Sequence, residues 1–365
     1  MPRPAPIVAA LPANTPFVGP ERIMRERGLH ELLRLGANES AFGPAPSAIA
    51  AMAGELERTA WYGDPDSLEL RDALAHKHGC TPGHISVGSG IDDLMGLAVR
   101  AFVAPGAVAV TSRGTYPTFD YHVEGYGGTL VRVPYRGDDR PDLDGLAAAA
   151  HATSAAMVYL ANPDNPSGTF YPVEEIARFR AALPAQTMLF LDEAYADFVE
   201  PDELLPDVFE PDLLRTRTFS KAYGMAGARV GYALAHPDIV ATFQKIRLHY
   251  GVNRNAQIGA LASLRDDAFR AYVVAETAKG RADYEALARE LGFAAVPSRT
   301  NFVCIDVGGV ARAVAMVDAL LARGVWIRKP GAPPLDRCIR VTVGTAPMRA
   351  AFAAAFRDVA AKVPG

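Results

Sequence analysis

Between about residue 84 and residue 235, short runs rich in β-branched and aromatic residues alternate with segments of helical periodicity. The runs cover 84–88, 107–111, 129–133, 156–161, 188–192, 216–220 and 230–235. Several are apolar on both faces, as strands buried between two layers of helix must be. The pattern predicts an α/β fold with a mainly parallel sheet and helices on both sides, and in such sheets ligands bind beyond the carboxyl ends of the strands. After residue 235 the rhythm changes. Helical segments over 239–249 and 268–291 precede strand candidates over 301–306, 325–328 and 338–343, which alternate with helices over 310–323 and 347–363. This second pattern predicts a smaller α+β domain. Gly292 and Gly324 each follow a helical stretch, where a left-handed cap is expected. The division expected is an N-terminal arm with part of the small domain over 1–45, a large domain over 46–255 and a small domain over 256–365.

Composition narrows the functional classes. The chain has 365 residues, 50% of them hydrophobic and 21% charged, with a formal net charge of −4. That is an ordinary globular balance, long enough for two domains, and it offers no basic surface for nucleic acid. The apolar stretch near the start is broken by prolines and too short for a signal-peptide core. No run reaches membrane-spanning length, the Ala-rich 146–160 stretch being interrupted by His151, Thr153 and Ser154. A cytoplasmic protein is therefore expected. Three cysteines, Cys80, Cys304 and Cys338, are widely spaced and suggest no metal site. His76 and His78 lie before Gly79 at what reads as a helix end, a place that favours cations electrostatically, and residues two apart on a helix do not face each other.

Candidate chemistry lies at the predicted strand ends. Arg215 to Tyr232 begins as a strand, reaches Ser220-Lys221 and turns through glycines before extended structure resumes. A lysine held there can form an imine with an aldehyde, the chemistry of pyridoxal phosphate. Asn162-Pro163-Asp164-Asn165-Pro166 follows another strand, and its two X-Pro steps predict a rigid, extended turn that aims Asn165. Asp192 closes an apolar strand, where a carboxylate needs a protonated or cationic partner. Gly88-Ser89-Gly90 joins a strand to a helix, so backbone N–H groups there can cradle an anion.

Taken together and in this order, these segments resemble the fold-type-I pyridoxal-phosphate aminotransferases, collinearly from Asn38-Glu39-Ser40 to Arg340-Val341-Thr342. Within them the chain is most similar to the histidinol-phosphate aminotransferase branch, through Leu35-Gly36-Ala37-Asn38-Glu39, Val325-Trp326-Ile327-Arg328 and the segment around Arg340. The resemblance implies roles. Lys221 would carry the cofactor and move the substrate proton, Asp192 would keep the pyridine nitrogen protonated, and Tyr195 and Asn165 would bond the ring oxygen. Gly90, Ile91 and Asp92, with Ser220 and Arg229, would hold the phosphate, and Tyr116 would stack on the ring. Tyr62 would reach the cofactor of a neighbouring subunit, which implies a homodimer. Arg340 would clamp the substrate carboxylate, Arg328 would supply a second cation, and Asn38 and Phe17 would line the substrate side.

Two positions depart from the branch. Phe17 stands where a tyrosine donates to the substrate phosphate, and Ile91 replaces a small or polar residue of the phosphate loop. The activity implied is ping-pong transfer between glutamate and imidazole acetol phosphate. An aminotransferase for aromatic or other amino acids is the alternative, and a decarboxylase of phosphorylated amino acids is more distant. A regulator built on this fold would add a DNA-binding domain, for which there is no room before Asn38. A dinucleotide-binding dehydrogenase lacks its third glycine and its acidic residue here.

Overall fold

The computed structural model describes residues 2–12 and 18–363; Phe17 lies outside them. Twelve strands are present among these residues: β1 Leu33–Arg34, β2 Ile85–Gly88, β3 Val108–Ser112, β4 Thr129–Val133, β5 Met157–Ala161, β6 Met188–Asp192, β7 Leu213–Thr218, β8 Gly231–Ala235, β9 Ala294–Ala295, β10 Phe302–Asp306, β11 Val325–Trp326 and β12 Cys338–Thr342.

Seven of them form one sheet in the order β2-β8-β7-β6-β5-β3-β4. Every neighbouring pair is parallel except the two made by β8, which alone runs the other way. Strands β5, β6 and β8 are buried at every position, which is why they read as continuous apolar runs rather than alternating ones. Helices Ile91–Phe102 and Pro237–Gln244 cover one face with a core that includes Leu94, Val99, Phe119, Tyr159, Phe190 and Phe243. Helices Leu143–Thr153 and Val173–Ala181 cover the other.

A second core surrounds the three-stranded antiparallel sheet β12-β10-β9 and the parallel pair β1-β11. Helices Asp267–Glu290, Val310–Leu321 and Ala346–Lys362 cover this sheet. Segment 33–35 thus crosses from the start of the chain into the second core. Leu35 N–H donates to Trp326 O and Leu35 O accepts from Thr342 N–H.

Three expectations shift. The strand expected over 216–220 ends at Thr218, because the Ser220 N–H turns to the Thr218 hydroxyl instead of continuing the ladder. Lys221 therefore sits three residues beyond the strand. The helix expected over 239–249 stops at Gln244, and a separate helix, Arg254–Leu264, begins at an Asn253 cap whose side chain accepts from Ala256 N–H. That helix spans residue 255 and packs against helices Pro46–Gly54 and Leu68–Lys77 beside the large sheet. Gly292 and Gly324 do adopt the left-handed conformation at their helix ends, with φ of 76° and 75°.

Candidate active site

The ends of β5, β6 and β7, the start of helix Ile91–Phe102 and segment 37–39 enclose a cavity of about 250 Å³. Ile91, Asp92, Tyr116, Asn165, Asp192, Tyr195, Ser220, Lys221 and Arg229 all line it. Residues spread over 139 positions of sequence are gathered here for one reason. In a parallel sheet each strand delivers the residues at its end to the same edge, and β8, running the other way, brings Arg229 there just before its start.

Asp192 is the last residue of β6 and is 5% exposed. Its Oδ2 accepts from the Tyr159 hydroxyl at 2.8 Å and its Oδ1 from Ala194 N–H at 3.0 Å. Burial pushes its carboxyl up to about 6, and those two donors only partly offset this. Lys221 is held nearby with its Nζ donating to the Asn38 carbonyl at 3.0 Å and lying 5.6 Å from the centre of the Tyr195 ring. Burial first, and then the Arg340 guanidinium, bring its ammonium down to about 8. Both groups thus sit in surroundings that oppose their own charge, a mark of functional positions.

The other end of the cavity is an anion cradle. Gly90 caps helix Ile91–Phe102 at φ 88°, and a Cβ there would lie 2.6 Å from Arg229 Nη2. Glycine is therefore what lets the guanidinium approach the free N–H groups of the helix start. Arg229 itself is left-handed at φ 59°, donates to Ala226 O and stands 3.9 Å from Asp92. The Tyr116 hydroxyl donates to Asp92 Oδ2 at 3.3 Å, and burial raises its pKa. Ile91 contributes its backbone and is itself buried.

Tyr195 is buried, which raises its pKa, and its hydroxyl accepts from Asn38 Nδ2 at 3.0 Å. Asn38 adopts φ 55°, rare for a residue with a side chain. Asn301 Nδ2 donates to its carbonyl and the Thr342 hydroxyl accepts from its N–H. Arg340, on β12, donates from Nη1 to Asn165 Oδ1 at 2.7 Å, while its Nε is buried with no hydrogen-bond partner among the described residues. Arg328 pairs with Arg340 across an antiparallel bridge, donates to Val18 O and lies over the Trp326 ring; burial and then Arg340 depress its pKa.

Tyr62 is not at this cavity. It is 76% exposed, stacked on Tyr250 with ring centres 4.4 Å apart, and lines a separate surface pocket with Arg254 and Gln257.

Several residues of the site are silent in the sequence pattern. Tyr159 is hidden in an all-buried strand, where nothing distinguishes it from a core aromatic. Asn301 and Thr342 come from the second sheet, and only the tertiary fold brings them to Asn38. Asp164 lies within the 162–166 turn that the two X-Pro steps mark in the sequence, but nothing there singles it out.

A lysine, a buried carboxylate, a cradle of N–H groups beside an arginine, and two further arginines can together hold a phosphorylated aromatic aldehyde and an anionic amine. The model of the family described as aminotransferase class I and II matches residues 30–356. The chain is similar to histidinol-phosphate aminotransferase 2 of Ralstonia nicotianae, with 37% identity over 93% of this chain and 92% of that protein. It is also similar to the histidinol-phosphate aminotransferase of Roseiflexus castenholzii, with 36% identity over 97% of each. Among solved structures, histidinol-phosphate aminotransferase from Sinorhizobium meliloti, in complex with pyridoxal-5'-phosphate, superposes with a TM-score of 0.96 and 44% identity, over 100% of this chain and 99% of that one.

Proposed function

The chain belongs to the class I and II aminotransferases, and from that premise we propose that it interconverts imidazole acetol phosphate and histidinol phosphate. Glutamate is the amino donor and pyridoxal 5'-phosphate the cofactor. The observation that carries the substrate assignment is the Arg328–Arg340 pair across one bridge beside the lysine, with Arg340 Nε still lacking an acceptor. Histidinol phosphate brings a phosphate and no carboxylate, and glutamate brings two carboxylates. One pair of guanidiniums suits both.

The residues present fit the cofactor. The Gly90 cradle, Ser220 and Arg229 would hold its phosphate, Asn165 and Tyr195 its ring oxygen, and Tyr116 its face. When bound, pyridoxal phosphate supplies an electron sink for the pair left on the substrate carbon. The protein does the rest. Asp192 would hold a proton at the pyridine nitrogen, because its buried carboxylate, pushed up to about 6, would be relieved by a cation placed against it. Lys221, with its ammonium brought to about 8, is neutral in part of the population near neutrality, so it could take up the substrate's Cα proton as a base and give it back as an acid. The Asn38 and Tyr195 side chains beside Lys221 are buried and hydrogen-bonded to each other, which fixes their positions.

The same reading places the enzyme in the cytoplasm as a homodimer, in which Tyr62 reaches the phosphate in its partner's site. The arm over 1–45 then contributes to the small domain, and the boundary between large and small domains lies after Leu264, beyond the helix that spans residue 255.

Arg328→Ala tests the substrate class. Losing a charge-assisted contact to a dianion should raise KM for histidinol phosphate about ten- to a hundredfold, while KM for a monoanionic amino acid such as phenylalanine moves by less than about threefold. Equal losses for both would remove the reason for assigning a phosphorylated substrate.

A further inference from the structure

The turn after β5 is the seam between the two sheets. On the side of the small sheet, Arg299 N–H donates to Gly168 O at 2.8 Å, Cys304 Sγ donates to Pro166 O at 3.0 Å, and Arg340 Nη1 donates to Asn165 Oδ1. Gly168 is left-handed at φ 84°, and a Cβ there would meet Ser298 Oγ at 2.7 Å, so the two parts are in close contact along the whole turn. The turn therefore carries a predicted cofactor contact, Asn165, and presses it against the predicted substrate clamp, Arg340.

At the centre of this turn is a carboxylate that the aminotransferase reading does not use. Asp164 is 1% exposed. Its Oδ2 accepts from Ser167 N–H at 3.0 Å and from the Ser167 hydroxyl at 2.6 Å. Both its oxygens lie 3.0 Å from the hydroxyl of Tyr135, a buried residue just beyond β4 at the far edge of the large sheet. Asp164 N–H donates to Thr169 O, and its carbonyl accepts from Gly168 N–H, which closes the turn on itself. Neither Lys nor Arg pairs with this carboxylate among the described residues; hydroxyl and backbone donors alone satisfy it. A buried carboxylate without a cation is costly, and a simpler turn would place asparagine or serine there. Burial raises its pKa to about 6, in keeping with that cost.

We propose that Asp164, clamped by Tyr135, is a positioning residue: it fixes the turn so that Asn165 faces the cofactor ring and simultaneously restrains Arg340 for the incoming anion. The chain of contact runs from the edge of the large sheet through Tyr135 and Asp164 to Asn165, and from there to β12. Arg340 is thus aimed from across the lobe seam as well as from its own strand. Asp164 touches neither cofactor nor substrate and acts only through Asn165. This rests on the aminotransferase reading given above, but its main readout does not need turnover.

The test compares Asp164→Asn, Tyr135→Phe and the double variant, each loaded with pyridoxal phosphate. The first readout is the pH titration of the cofactor's visible absorbance band, which senses the donor at the ring oxygen. The second is KM against kcat for histidinol phosphate and glutamate. We expect Asp164→Asn to move the titration midpoint by at least about half a unit and to raise KM for both anionic substrates about tenfold, with kcat changed less. Tyr135→Phe should produce a smaller shift in the same direction, and the double variant should be no worse than Asp164→Asn alone, since both act through one carboxylate. Folded variants with an unmoved midpoint and an unmoved KM would reduce Asp164 to a structural turn residue and overturn the proposal. If Asp164→Asn does not fold, Tyr135→Phe decides alone by the same midpoint. A wild-type protein whose band titrates but which converts no amine contradicts the aminotransferase reading, and the midpoint comparison still judges Asp164 separately.

Discussion

Asp192 and Lys221 stand beside each other with pKa values moved toward one another, the acid up to about 6 and the base down to about 8. In both cases burial is the leading cause, so the site is held in readiness for a charged guest. The consequence for stability has a definite sign. The ordinary value for Asp192 is 3.8, and its folded value is higher, so the folded state disfavours its ionised form. Its contribution is fully present below about pH 4 and is lost as pH rises through about 6. In cofactor-free protein, Asp192→Asn removes this dependence. Unfolding free energies should therefore favour the variant increasingly between pH 4 and pH 7, by on the order of 2 kcal/mol across the window. Denaturant titrations at the two pH values measure it, and a difference between variant and wild type that does not change with pH would contradict the account. Glu193, the next residue, shows the opposite design. It is equally buried, but Arg215 and Arg217 bind it at 2.9 and 3.0 Å and its pKa falls despite burial. Adjacent carboxylates are thus split between one that is structurally neutralised and one that is left for a ligand.

At the scale of elements, the parallel sheet was legible because its strands are buried on both faces and its helices are amphipathic, two periods that compete little. Segment 129–133 and segment 188–192 were read with their observed bounds. The strand before Lys221 was misplaced because Thr218, Phe219 and Ser220 all favour extended structure, and only the Ser220–Thr218 hydrogen bond ends the ladder. Helix Arg254–Leu264 was missed because it carries little amphipathic signal. It is buried through small residues, Ala256, Gly259 and Ala260, against Pro46–Gly54, and Gly259 approaches Met52 and Met225 closely. Residues of the site that end strands of the large sheet could be found from sequence. Those that enter from the second sheet, Asn301 and Thr342, carry no local signal, since they meet Asn38 only in the tertiary fold.

For the whole molecule, two features extend beyond one chain. Leu56, Trp61, Tyr62, Leu248 and Tyr250 are all more than half exposed, close in sequence to two segments that meet through the Tyr62–Tyr250 stack. An exposed apolar surface of this kind suits association with a second copy. Sedimentation should give about twice 38.9 kDa, and Tyr62→Phe should weaken cofactor retention several-fold without changing the dimer. A monomer with full cofactor affinity would contradict the role given to Tyr62. The central claim, however, concerns the substrate, and Phe17 and Ile91 are the residues that make it worth testing directly. In a single-turnover absorbance scan of the cofactor-loaded enzyme, histidinol phosphate and glutamate should each convert the cofactor rapidly to its amine form, well ahead of phenylalanine, tyrosine and aspartate. Rapid conversion by the aromatic amino acids with none by histidinol phosphate would contradict the account and move the enzyme to aromatic substrates.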